Sequence, residues 1–186
     1  LAAALRDAAK AYARWGVTSI HLINNAKSLE LTRAALGLLD ARQKWTVYAW
    51  GASATSIAGA WTLIDAAQKN LPARVRIDGP KWMLDGTPIE QNALQRRPYP
   101  GRPEWRGRSN LSDTQLGELL QSALARPQQL MLHVVGDAET DRLLDAMERL
   151  APAPTWAAKR VRLEHGDGIR PDTLARVARL GMVVTQ

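Results

Sequence analysis

The stretch Leu130-Met-Leu-His-Val-Val-Gly-Asp137 is an apolar run of β type that ends in a turn, and Val161-Arg-Leu-Glu-His-Gly-Asp167 repeats this pattern. Each stretch carries a histidine close to its turn, although the 186 residues contain only three histidines. In an α/β barrel, residues at the carboxyl ends of neighbouring parallel strands form the active site. Imidazole at two such positions predicts a shared metal or acid–base site for His133 and His165. The third histidine, His21, lies in a predicted strand with no further cluster beside it, and is interpreted as structural or as a residue that supports the ligands of the site.

Helical and strand-like patterns alternate along the whole chain. Strands are predicted at about 17–23, 45–50, 75–84, 130–135, 160–164 and 182–185. Helices are predicted at about 1–15, 27–42 and 56–69, and then from Ser112, Ala138 and Pro171 onward. Strict alternation of this kind is typical of α/β proteins with parallel strands.

Two α/β layouts fit the alternation, an open doubly wound sheet and an eight-stranded barrel. No glycine-rich phosphate fingerprint follows any predicted strand, which disfavours the nucleotide-binding form of the open sheet. A complete barrel usually needs about 250 residues. The sequence therefore predicts a partial (β/α)8 barrel, with residues 1–186 forming one incomplete catalytic domain.

Composition excludes several classes of site. The chain has no cysteine, so disulfides, thiolate metal ligands and cysteine nucleophiles are absent. No run approaches the roughly 20 apolar residues of a membrane span, and the first residues lack a signal-peptide pattern. We expect a protein without a membrane association, with the cytoplasm favoured over the periplasm.

The chain has a net charge of +7, and five of its arginines fall in one segment without periodicity, residues 85–111. Loops of this length are usually lids or binding segments, so this one is a candidate lid or specificity loop. Asp85 and Arg102 are its predicted substrate contacts. Arginines interleaved with Tyr99 and Trp105 also fit nucleic-acid binding, an alternative disfavoured because no recognised nucleic-acid module is present.

The strand that precedes this segment contains a lysine among apolar residues. Alternation places Lys81, Met83 and Asp85 on one face of it. A buried lysine is costly unless it is paired or neutral. A lysine near a strand end can equally extend its amine to solvent, and the residues alone leave both readings open.

Five motifs in a characteristic order carry a family resemblance. They are Gly16-Val-Thr-Ser-Ile20, Lys81-Trp-Met-Leu-Asp-Gly86, Leu132-His-Val-Val-Gly-Asp-Ala138, Arg162-Leu-Glu-His165 and Leu180-Gly-Met-Val-Val-Thr-Gln186. Together they resemble the metal-dependent amidohydrolase superfamily, in the amidohydrolase family 3 branch that includes N-substituted formamide deformylase-like enzymes.

The resemblance implies a (β/α)8 barrel of which this chain covers about strands two to seven. It implies that Lys81, His133 and His165 are metal ligands, with Lys81 carbamylated. The implied cofactor is one or two divalent ions, with Zn²⁺ as the favoured metal. The implied reaction is hydrolysis of a C–N bond, amide or formamide-like, in a small-molecule substrate.

The sequence also departs from the family pattern. No His-Xaa-His pair occurs in the 186 residues, and the strand that would carry the general-base Asp is missing. We therefore expect part of an enzyme whose longer parent is the active hydrolase. The alternative is a catalytically incomplete unit that only folds or self-associates, forming a homo-oligomer through open barrel edges.

Overall fold

A computed structural model describes residues 1–25, 28–38, 43–51 and 56–186. The chain forms two compact units, Leu1–Lys81 and Trp82–Gln186. In the described part of the chain, every helix is too short or too polar to cross a membrane.

The first unit alternates helices with parallel strands. Its elements are α1 (Ala2–Arg14), β1 (Ser19–Asn25), α2 (Leu29–Gly37), β2 (Lys44–Trp50), α3 (Ile57–Ala67) and β3 (Val75–Met83), whose last two residues belong to the second unit. β1 pairs in parallel with β2, and β2 pairs in parallel with β3. The five central residues of β2 are all buried, as expected for a strand with a neighbour on each side.

Local signals explain where the helices of the first unit begin and end. The Ser56 hydroxyl accepts a hydrogen bond of 2.9 Å from the Gly59 amide and caps the start of α3. Gly16, with a φ of +73°, ends the turn after α1 in the left-handed region that glycine favours. The second predicted helix, 27–42, is found as α2. Of its predicted span, Lys27 and residues 39–42 lie outside the described residues.

The second unit continues the same alternation. Its elements are α4 (Asp113–Leu124), β4 (Met131–Val134), α5 (Asp137–Leu150), α6 (Ala153–Lys159), β5 (Arg162–His165), α7 (Pro171–Arg179) and β6 (Val183–Thr185). β4, β5 and β6 pair in parallel in that order. A core of completely buried side chains from strands and helices holds this unit together, including Leu119, Leu132, Leu143, Trp156 and Leu163.

The sequence correctly predicts the start of α4 but misses α6. The predicted capping box is present, because the Ser112 hydroxyl accepts from the Gln115 amide and the Gln115 side chain accepts from the Ser112 amide. α6 has only seven residues, too few for a helical period to be visible. Trp156 explains its position, since this side chain is fully buried and its indole donates to the Met147 carbonyl at 2.7 Å.

Residues 85–111 contain no helix or extended strand, as predicted, but they form a well-connected loop. The Tyr99 amide donates to the Trp105 carbonyl at 2.9 Å, and the Arg102 amide donates to the Tyr99 carbonyl at 3.0 Å. The Tyr99 hydroxyl donates to the Ala93 carbonyl at 2.8 Å. This segment is therefore held in a defined path by its own hydrogen bonds.

Candidate metal centre

His133 and His165 meet at the carboxyl ends of β4 and β5. The two strands are adjacent and parallel, with Val134 opposite His165 in the register. The imidazole centroids are 4.5 Å apart, and the ring planes make an angle of 74°. His133 is buried and His165 is exposed. The structure thus brings together the pair of histidines that the repeated strand–turn pattern singled out.

The backbone at His165 has an unusual conformation. His165 has a φ of +75° and the following Gly166 a φ of +68°, so two consecutive residues are left-handed. A residue with a side chain in this region costs about 1–3 kcal/mol and persists only where the surroundings enforce it. Space at Gly166 is also restricted, because a Cβ there would lie 2.7 Å from Cγ1 of Val184. This tight turn fixes the position of the His165 side chain at the end of β5.

The His133 ring has a neighbour in the loop that follows β3. Its Nε2 atom lies 3.4 Å from the Gly86 carbonyl oxygen. If Nε2 carries the proton and donates to this carbonyl, Nδ1 keeps its lone pair. Contacts of this type orient histidine ligands in metal proteins. The contact thus joins the His133 ring to the loop that follows β3.

Asp85 is a structural carboxylate that fixes the end of β4. Its side chain is completely buried. Oδ1 accepts from the Val135 amide at 3.0 Å, and Oδ2 accepts from the Gly136 amide at 2.7 Å and from the Leu94 amide at 3.0 Å. Burial raises the pKa of Asp85, while these three backbone donors act in the opposite direction. Asp85 therefore joins three segments immediately beyond His133.

Asp85 and Arg102 are the predicted substrate contacts. In the structure, each of these two side chains interacts with other residues of the protein. Asp85 has no exposed surface, and both its oxygens accept backbone hydrogen bonds. Arg102 donates to the Gln91 side chain at 3.0 Å, and its guanidinium carbon lies 5.3 Å from the centroid of the Trp105 ring. These contacts support structural roles, and substrate contact by either residue stays a prediction.

Lys81, the predicted third ligand, lies in β3 opposite Trp50 of β2 and is half-buried. It belongs to the first unit, whereas both histidines belong to the second. Its carbamylation and metal binding stay predictions of the family resemblance.

Glu139, in the first turn of α5, is a buried acid that the sequence did not reveal. It is completely buried, and one oxygen, Oε1, accepts from Arg142 at 2.7 Å and from the Ser109 hydroxyl at 3.1 Å. The other oxygen, Oε2, has no hydrogen-bond partner among the residues that the structure describes. Burial raises the pKa of Glu139 to about 7, opposed by Arg142 and increased further by the charge of Asp85.

Glu139 is expected to make the free energy of unfolding fall as pH rises. Its folded-state pKa of about 7 exceeds the ordinary value of 4.5, so the folded state binds this proton more tightly. The resulting stability is complete below pH 4.5 and is lost as pH rises through about 7. At roughly 1.4 kcal/mol per pKa unit, the loss is about 3 kcal/mol. Urea unfolding at pH 5 and pH 8 should show this slope in the parent and a much smaller one in Glu139→Gln.

Glu148→Gln is the matched control for this pH experiment. A hydrogen bond from Arg176 lowers the pKa of Glu148, so its titration affects stability only at more acidic pH. The slope between pH 5 and pH 8 should therefore match that of the parent. An unchanged slope in Glu139→Gln would contradict the assignment.

The described residues offer two imidazoles for a metal but no complete ligand set. In the described part of the chain, no three His, Asp or Glu side chains are grouped in a way that could hold an ion. Asp85 and Glu139 are committed to hydrogen bonds elsewhere. The histidine pair fits two neighbouring ligand positions of one ion, since neutral imidazole is a common metal ligand. A tetrahedral zinc site takes four ligands, and the described residues bring two imidazoles together here.

Parallel strands joined by helices, with two histidines at the carboxyl ends of adjacent strands, define an α/β protein of the barrel class. The model of the amidohydrolase family matches residues 1–185. The chain therefore belongs to the amidohydrolase family.

Solved structures agree with this assignment of fold. An uncharacterized metal-dependent hydrolase from Pyrococcus furiosus has a TM-score of 0.70 and 24% identity, over 96% of this chain and 36% of its own. A second one, from Pyrococcus horikoshii OT3, has a TM-score of 0.57 and 22% identity, over 77% of this chain and 28% of its own. The predicted fold class, α/β with the strands of a partial TIM-type barrel, is confirmed.

A curated relative is Protein LONG AFTER FAR-RED 3 of Arabidopsis thaliana, with 27% identity over 109 residues. This match covers 59% of the present chain and 19% of that protein. The chain thus spans about a third or less of each of these relatives.

Proposed function

We propose that this chain is part of a metal-dependent hydrolase in which His133 and His165 bind a divalent ion. The observation that carries the proposal is the imidazole pair at the carboxyl ends of adjacent parallel strands, with centroids 4.5 Å apart. Membership of the amidohydrolase family and the likeness to two metal-dependent hydrolases support it.

A divalent ion bound by these imidazoles would lower the pKa of water and polarise a scissile carbonyl. This chain's own residues orient the ligands. The Gly86 carbonyl lies against Nε2 of His133, and the left-handed turn at His165 and Gly166 positions the second imidazole. Asp85 holds the end of β4 in place through Val135 and Gly136.

The finer parts of the proposal rest on the family resemblance. These are Zn²⁺ as the ion, a carbamylated Lys81 as a further ligand, and an amide or formamide-like C–N bond as the bond cleaved. The N-substituted formamide deformylase-like branch remains our proposed placement within the family. The general-base Asp is expected from a strand of the longer parent hydrolase.

Titration of this chain with zinc, measured by isothermal titration calorimetry, tests the ligand assignment. We expect His133→Ala and His165→Ala each to weaken Zn²⁺ binding by about 100-fold, because loss of a direct ligand should cost at least as much as loss of the contacts that support one. His21→Ala is the matched control, since His21 lies in β1, where its ring packs 5.7 Å from that of Tyr48.

The design separates ligand loss from unfolding. Circular dichroism of each variant reports whether the helices and strands are retained. Unchanged zinc affinity in both folded variants would refute the proposal, and so would an equal loss in His21→Ala. A loss restricted to the two strand-end histidines supports it.

A further inference from the structure

A cavity of about 400 Å³ opens in the second unit beside the loops that carry the histidine strands onward. Asp137, the first residue of α5 after β4, lines it, and so does Arg170, which directly precedes α7 after β5. The remaining wall comes from the long loop, residues 95–100. Since β4 and β5 are parallel, the cavity lies at the same edge as His133 and His165.

The loop that forms this wall is fixed to α5 by backbone atoms. The Leu94 carbonyl accepts from the amides of Ala138 and Glu139 at 3.1 and 3.3 Å. The Arg96 amide donates to Oδ1 of Asp137 at 2.7 Å. The cavity is therefore a pre-formed feature, which reduces the entropic cost of binding a ligand.

The charged groups of the lining are three arginines and one aspartate. Arg96 is neutralised by a two-bond contact to Asp141 at 2.6 and 2.7 Å and by Asp172 at 2.8 Å. Oδ2 of Asp137 accepts from Arg170 at 3.2 Å.

Two guanidinium groups keep unused donors. Among the described residues the Arg170 guanidinium hydrogen-bonds to Asp137 alone, although its charge also acts on Asp172, and its side chain is 54% exposed. Arg97 is exposed, and the structure shows no hydrogen bond or ion pair for its side chain among the residues it describes. Arg97 thus brings to the lining a positive charge that no carboxylate of the described residues pairs with.

We propose that Arg97 and Arg170 form a carboxylate-binding subsite in this cavity. Guanidinium groups bind carboxylates through paired, charge-assisted hydrogen bonds. The ring of Tyr99, also in the lining, provides an apolar surface beside them. Where the proposed hydrolase function holds, on which this extension rests, the substrate carries a carboxylate at a distance from the bond that is cleaved.

Benzoate and benzamide form a matched pair of probes, since they share size and shape but differ in charge. Each probe is titrated into the ¹⁵N-labelled chain and monitored by ¹H–¹⁵N NMR, which reports both the affinity of the probe and the location of its binding site. We expect benzoate to shift the amides of residues 95–97, 99, 137 and 170, the non-proline positions of the lining, and benzamide to bind at least about tenfold more weakly. Raising the salt concentration should weaken benzoate binding.

The variant Arg97→Gln/Arg170→Gln is expected to weaken benzoate binding by about tenfold or more. Arg106→Gln is the control, because Arg106 is an exposed arginine of the same loop that does not line the cavity. Its benzoate affinity should equal that of the parent. The amide spectrum shows whether each variant keeps its fold.

The outcomes separate this subsite from the metal site. Equal affinities for benzoate and benzamide, or full benzoate affinity in the folded double variant, would overturn the subsite. Zinc titration of the same double variant should be unchanged, because it retains both histidines. If benzoate binds as expected while the histidine variants keep their zinc affinity, the subsite stands and the hydrolase proposal fails.

Discussion

Asp85→Ala is expected to lower the free energy of unfolding by about 3–5 kcal/mol, because it leaves buried backbone donors without partners. Three amides converge on this carboxylate, those of Leu94, Val135 and Gly136. Water cannot replace it, since the side chain has no exposed surface. Urea unfolding at pH 7, monitored by circular dichroism, measures the change.

Asp167→Ala is the matched control for this experiment. Asp167 follows His165 and Gly166 after β5. Unlike the side chain of Asp85, that of Asp167 is exposed. We expect a change within about 0.5 kcal/mol, which is usual for surface substitutions. A cost for Asp85→Ala no greater than that of Asp167→Ala would show that the three hydrogen bonds are not needed.

Gly136→Ala is expected to be comparably severe, at about 3–5 kcal/mol, for a purely steric reason. A Cβ at Gly136 would lie 1.9 Å from the carbonyl oxygen of Leu94 and 2.5 Å from its carbonyl carbon and nitrogen. All three are backbone atoms, and the Leu94 carbonyl also accepts two amides of α5. The loop would have to leave α5 to make room. Thermal and urea unfolding both report the loss.

Gly117→Ala provides a control of opposite sign. Gly117 lies inside α4, and a Cβ there meets nothing within 4 Å. Alanine has a higher helix propensity than glycine, so we expect a gain of about 0.5–1 kcal/mol. If Gly136→Ala were as stable as the parent, the close packing of the loop against the start of α5 would be wrong.

The alternation of helices and strands was predictable because it depends on short-range patterns. Apolar period, glycine stops and the capping box at Ser112 act within a few residues. α6 was missed because its position depends on one tertiary contact, the burial of Trp156 against Met147. The pairing of His133 with His165 was predictable since parallel topology brings equivalent strand ends together.

The partners of individual loop residues could not be predicted in the same way. Asp85 bonds to Gly136, a residue 51 positions away, and no local pattern announces such a contact. Within the long loop the arginines look alike in sequence. The path of the loop backbone places the Arg102 guanidinium over the ring of Trp105, whereas Arg97 lies in the wall of the cavity.

The attachment of the loop through the Leu94 carbonyl has a consequence for how such proteins diversify. This contact uses main-chain atoms only, so side chains at 95–100 can change without loosening it. His133, in contrast, lies on β4, whose four residues are all buried, so packing restricts substitution there. Substitutions in the cavity wall can therefore alter its chemistry while the backbone that carries the wall stays in place.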